Sequence, residues 1–151
     1  MGTSTLASEF QQLRRLRDWP RRLHALVESR RSTPFRWGYH DCCTWAAECV
    51  QAVTGTDLSG PWKGQYDCAL SAKRYLLARW GSLPEALEAH GLIPVSPEQA
   101  RRGDLGLYAP SHLLARQALG VCLSAHYAMP GLNEPMSFIP RNQITSAWKV
   151  G

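Results

Sequence analysis

Apolar residues recur at helical spacing from the start of the chain. Leu6, Phe10, Leu13, Leu16 and Trp19 stand three or four positions apart with charges between them, which predicts an amphipathic helix. Pro20 ends that helix and opens a second one, because proline is tolerated in a first turn. Leu23, Leu26 and Val27 form its apolar stripe, which runs out at Ser32-Thr33-Pro34. Phe35 to His40 has no periodicity and reads as a tight loop. Asp41 is a favourable N-cap, and Cys42 to Val53 reads as a helix turning Trp45, Ala46, Cys49, Val50 and Val53 inward. Thr54-Gly55 stops it. After a loop around Gly60-Pro61-Trp62, a third helix is expected from about Asp67 to Arg79, and a short fourth from Leu83 to Ala89.

Beyond Arg101 the period changes. Gly103-Asp104 is a turn signal, and Leu105 and Leu107 alternate as in a strand. Four more strands are expected at Leu119–Leu123, Tyr127–Met129, Met136–Ile139 and Ser146–Val150, with Pro130-Gly131 and Asn133-Glu134-Pro135 between them. Helices followed by an antiparallel meander, with no alternating β-α-β units, is an α+β order. A length of 151 residues, 44% apolar and 19% charged, suits one domain with one core. Residues 1–33 read as a basic helical arm, and residues 34–151 as the α+β domain it lies on.

Charge sharpens that division. Up to Arg36 there are eight arginines against Glu9, Asp18 and Glu28, so the whole formal net charge of +5 lies in this segment. Such an arm could seek nucleic acid, an anionic membrane or an acidic protein partner, though a solvated, arginine-rich helix face is the simpler reading. Aromatic residues do not interleave with the basic ones, so a nucleic-acid platform is not expected. No run is apolar enough to span a membrane, and the N-terminal stretch has neither a secretion-type apolar core nor a myristoylation pattern. The five cysteines include no C-x-x-C pair, and adjacent Cys42-Cys43 are poorly placed to hold one iron. Neither a metal nor another cofactor is expected, and the thiols read mainly as small buried hydrophobes. The tryptophans read as core and rim rather than as a glycan-stacking surface.

Cys42 is the chemical exception. A cysteine in the first turn of a helix meets unpaired amides and the positive end of the helix dipole, which favour a thiolate. The charge of Asp41 opposes this. Turnover further requires a base in hydrogen-bond reach and a third group that orients it.

Trp37-Gly38, Asp41-Cys42 opening a helix, Gly103-Asp104 opening a strand and Leu119-Gly120-Val121 in the next strand together resemble the NlpC-type, papain-like cysteine peptidases, which cut peptide crosslinks of peptidoglycan. With Cys43 and the ending Ala147-Trp148-Lys149-Val150, the pattern is most similar to an uncharacterised branch of that clan in tailed phages and prophages. The likeness spans roughly residues 35–150. It implies a papain-like core, Cys42 in the nucleophile's place, and a base two positions before the glycine of the second strand. That position holds Ala118. His126 and His112 are then the candidate substitutes, as base or orienting group.

What the resemblance implies is a virion protein of a phage tail tip, made in the host cytoplasm without a signal peptide. In one form it is a peptidase-like structural domain that has lost catalysis and docks on tail hub proteins through its basic helices. In the other it is an active cysteine hydrolase that opens peptidoglycan during infection.

Overall fold

The computed structural model describes residues 12–111, 116–131 and 134–151. Among these the chain forms four α-helices, α1 (Trp19–Arg30), α2 (Cys42–Thr54), α3 (Ala69–Arg79) and α4 (Leu83–Ala89), and then six strands. The strands are β1 (Ile93–Val95), β2 (Leu105–Tyr108), β3 (Ala118–Cys122), β4 (His126–Pro130), β5 (Met136–Pro140) and β6 (Ser146–Lys149). They make one open antiparallel sheet in the order β1-β6-β2-β3-β4-β5. The α+β order expected from the sequence is therefore present.

Two elements differ from the expectation. Strand β1 is additional to the five expected strands. Three residues are too few for a period to show, and Pro94 argues against a strand. Its missing N–H is tolerated because β1 lies at the sheet edge, paired only with β6. The expected first helix does not extend through Leu16: residues 12–16 are irregular, and helix begins at Trp19. Backbone groups that a helix would use internally go elsewhere. The Leu16 N–H donates to Val53 O at 2.8 Å, at the far end of α2. The part of the chain ahead of residue 12 lies outside the described residues.

The sheet alternates strictly. Leu105, Leu107, Leu119 and Val121 face the helices and join Trp45, Val50 and Val53 in the main core. Cys122, Tyr127, Met129 and Ala147 face the other way, in a smaller cluster. Gly106 allows Tyr127 to lie flat there, since a β-carbon would fall 2.4 Å from its ring. Helix α2 is the central helix. Trp45 is fully buried and donates from Nε1 to Ala128 O at 2.9 Å, fixing the helix across the sheet.

The basic segment is built into this core. Leu13, Leu23 and Val27 are buried with the α2 residues. Arg15 crosses to the end of the sheet, donating from Nη2 to Asp104 Oδ1 at 2.8 Å, from Nε to Val150 O at 2.9 Å and from Nη1 to Arg102 O at 2.6 Å. Asp104 is only 2% exposed and also accepts from the N–H groups of Arg101 and Val150. The Gly103-Asp104 turn thus ties together the first strand of the meander, the N-terminal segment and the C-terminus.

Candidate functional site

The start of α2 is held by a closed set of local bonds. Gly38 has φ +85°, and a β-carbon there would meet Tyr66 O at 2.4 Å, so only glycine fits this turn. Its N–H donates to Asp41 Oδ2 at 2.7 Å. Asp41 Oδ1 accepts from the Cys43 and Thr44 amides, each at 2.9 Å, while Thr44 Oγ1 accepts from the Asp41 N–H at 2.8 Å. This is a reciprocal capping box on a carboxylate only 1% exposed. The sequence reading of Asp41 as helix cap holds.

Cys42 is the first residue of α2 and, like Cys43, is half-buried. Asp41 takes the amides of Cys43 and Thr44, two of the first-turn donors that a helix-start thiolate would draw on. Cys43 is held well above the ordinary thiol range, first by the hydrogen bond it shares with Cys42, then by burial, then by electrostatic interaction with Cys42 and with the Asp41 carboxylate. Tyr66, buried nearby, is pushed far up by burial and by Cys43 and Asp41. The thiol pair opens on an apolar cavity of about 260 Å³ between α2, α3, α4 and the sheet face carrying Leu105 and Leu119.

The register of β3 decides what faces Cys42. Ala118 turns to the opposite side of the sheet and packs on the Tyr127 cluster. Its neighbour Leu119 is the β3 residue that shares the cavity with Cys42. The sheet position facing the thiol is therefore held by Leu119, not by Ala118, because successive side chains of a strand point to opposite faces. Neither side chain can take a proton.

Among the described residues, neither His126 nor His90 offers Cys42 a free acceptor. His126 is exposed at the β3–β4 hairpin, opposite Leu123. Leu119 lies four residues further along, roughly 13 Å at strand rise. His112 lies outside the described residues. His90, which the sequence reading passed over, does line the cavity. Its ring is fully engaged: Nδ1 bonds Ala86 O at 2.6 Å, and Nε2 accepts from Trp62 Nε1 at 3.2 Å. That network assigns the proton to Nδ1 and leaves no lone pair for a thiol. Only a distance could have marked His90, since nothing in its sequence neighbourhood does.

His40 is buried on the other side of the cap, 4% exposed, edge-on to Trp45, with no partner at either ring nitrogen. Burial lowers its pKa below the usual 6.5, with Arg30 adding to this and Glu48 and Asp41 opposing. The ring is thus neutral in the folded protein, whereas the unfolded chain takes up a proton as pH falls through about 6.5. More protons bound in the unfolded state means stability lost on acidification. We expect the melting temperature to fall between pH 7 and pH 5, and His40→Phe to flatten that fall. An equal fall in both proteins would remove His40 as the cause.

The remaining thiols have structural surroundings. Cys49 and Cys122 are fully buried, and Cys122 Sγ accepts from Arg141 Nη2 at 3.1 Å. Cys68 is exposed and caps α3, its thiol donating to the Ser71 hydroxyl oxygen at 3.3 Å and its sulfur accepting from the Ser71 amide at 3.4 Å, and its hydrogen bonding with Ser71 lowers its pKa. Trp45, Trp62 and Trp148 are buried, in keeping with their reading as core. Among the described residues no three of His, Cys, Asp and Glu converge as metal ligands would, and no helix is long and apolar enough to cross a membrane.

Fold and site together define a class: an α+β domain with a capped, cysteine-started central helix over an antiparallel sheet and an apolar cavity at the thiol. The chain belongs to a domain family of unknown function (DUF6950), whose model matches residues 14–150. No curated protein matches it.

Proposed function

We propose that this protein is a peptidase-like domain without turnover, serving as a structural component of a phage tail tip. The observation that supports the loss of turnover is Leu119: the β3 side chain that shares the cavity with Cys42 is an alkyl group and not a proton acceptor. A thiol without a base has no group to protonate an amine leaving group. The cavity supports the same reading, because its walls are apolar where a peptide substrate would need hydrogen-bond partners. The tail setting rests on the resemblance of the Trp37-Gly38, Asp41-Cys42 and Gly103-Asp104 motifs to the phage branch of the NlpC-type clan.

The docking surface in this reading is the outer side of α1 and the segment before it. Arg14, Arg17, Arg21 and Arg22 are exposed there, while Leu23 and Val27 anchor the helix from beneath. Of these, Arg21 pairs with Asp18 and Arg22 donates to Ala52 O, and the exposed positive charge of the segment suits an acidic surface of a tail hub protein.

The test uses tail particles assembled with and without the protein. Purified protein is expected to release no amino groups from peptidoglycan, and Cys42→Ala to join particles as the wild type does. Arg14→Glu with Arg17→Glu is expected to abolish joining while circular dichroism stays unchanged. Peptide release that disappears in Cys42→Ala would establish the hydrolase instead, and its loss in His112→Ala would identify the base.

A further inference from the structure

We infer that the cavity beside Cys42 is a binding site for a slim aliphatic carboxylate, with its chain inside and its head at Lys73. This goes beyond the docking role and does not depend on it.

The size fits such a ligand. At about 260 Å³ the cavity is slightly smaller than the ~300–1,000 Å³ usual for small-molecule sites. A single medium-length chain suits it better than a multi-ring compound. Its walls are almost wholly apolar, from Val50, Trp62, Leu76, Trp80, Leu87 and Leu105, so chain burial is the main driving force. The entrance is at the start of α3, where Ala69 and Leu70 are exposed, Leu70 by 56%.

The polar groups select the head. Lys73 is exposed and, among the described residues, the sole Lys or Arg in the lining. Asp41 is the sole carboxylate there, and its oxygens already accept from Gly38, Cys43 and Thr44. His90 Nε2 already accepts from Trp62. The hydroxyls of Tyr66 and Tyr75 are buried behind the wall rather than open on the cavity. The cation at the rim is therefore the open polar group of the lining, while its acceptors are used. An anionic acceptor complements it; an ammonium does not.

Decanoate and decylamine, both below micelle formation, are the probes, followed by titration calorimetry on the whole chain. Decanoate is expected to bind saturably at one site and decylamine about tenfold more weakly, as the loss of one charge-assisted contact implies. Lys73→Glu is expected to reverse that preference. Ala69→Trp, at an exposed position on the rim, is expected to weaken decanoate by about tenfold or more by filling the entrance. A second readout needs no variant. Saturating decanoate should slow iodoacetamide labelling of Cys42, read by mass spectrometry, and leave exposed Cys68 unchanged. Non-saturable binding, equal affinity for the two probes, or equal slowing at Cys42 and Cys68 would each overturn the assignment.

Discussion

Asp104→Ala is expected to destabilise the protein by about 3–5 kcal/mol, the scale of breaking a buried ion pair from one side. The reason is the set of donors it leaves behind. Arg15 Nη2, the Arg101 N–H and the Val150 N–H all donate to this carboxylate, which is 2% exposed. Water cannot readily replace it, so each donor is left with part of its desolvation cost. Urea unfolding by far-ultraviolet circular dichroism measures the change directly. Arg15→Met should cost less, because Asp104 keeps its Arg101 and Val150 amide donors, whereas Asp104→Ala strands all three groups. Arg21→Ala is the control: its pairing with Asp18 is at the surface, with the Arg21 side chain 81% exposed, and should change stability by less than about 1 kcal/mol. A cost for Asp104→Ala no larger than that control would refute the hub role.

The second large effect is expected at Asp41. Its removal costs a helix cap, about 1–2 kcal/mol, and leaves the Gly38 N–H buried without a partner, about 1–3 kcal/mol more. Asp41→Ala is therefore expected to lose about 2–4 kcal/mol in the same unfolding measurement. Asp41→Asn separates the two contributions. Its carbonyl can still cap the Cys43 and Thr44 amides, but its amide nitrogen cannot accept from Gly38, so it should lie between wild type and alanine. Because the cap holds the first turn of α2, Asp41→Ala should also speed labelling of Cys42 relative to Cys68. An unchanged ratio would mean that the loop, not the cap, positions the thiol.

Both residues were legible as sequence signals, for different reasons. Asp41 could be placed because a cap acts on amides two and three residues away. Gly103-Asp104 reads as a turn, which it is, but its larger role has no local signal. Arg15 and Val150 lie 89 and 46 residues from Asp104, and no local pattern couples them. The end of the first helix differs from its local pattern for the same reason. The spacing of Leu13, Leu16 and Trp19 is helical, yet Leu16 N–H and Arg15 are committed to Val53 and Val150. Tertiary bonds outweighed periodicity there. The split into a basic arm and a domain followed charge, while Leu23 and Val27 follow the core.

The candidate site divides along the same line. By itself the sequence determined that Cys42 would open a capped, buried helix, that helices would precede an antiparallel sheet, and that the excess charge would sit at one end. Those features depend on neighbours within a turn or two, or on simple patterning. Only the tertiary structure decided that β6 lies between β1 and β2, that Leu119 rather than Ala118 faces the thiol, that His126 is a strand's length away and that His90 is already bonded. Side-chain direction in a strand reverses at every residue, so a motif placed one position off predicts the wrong face. The distance between a thiol and an imidazole depends on how helix and sheet pack, and residues far apart in the chain set that packing together.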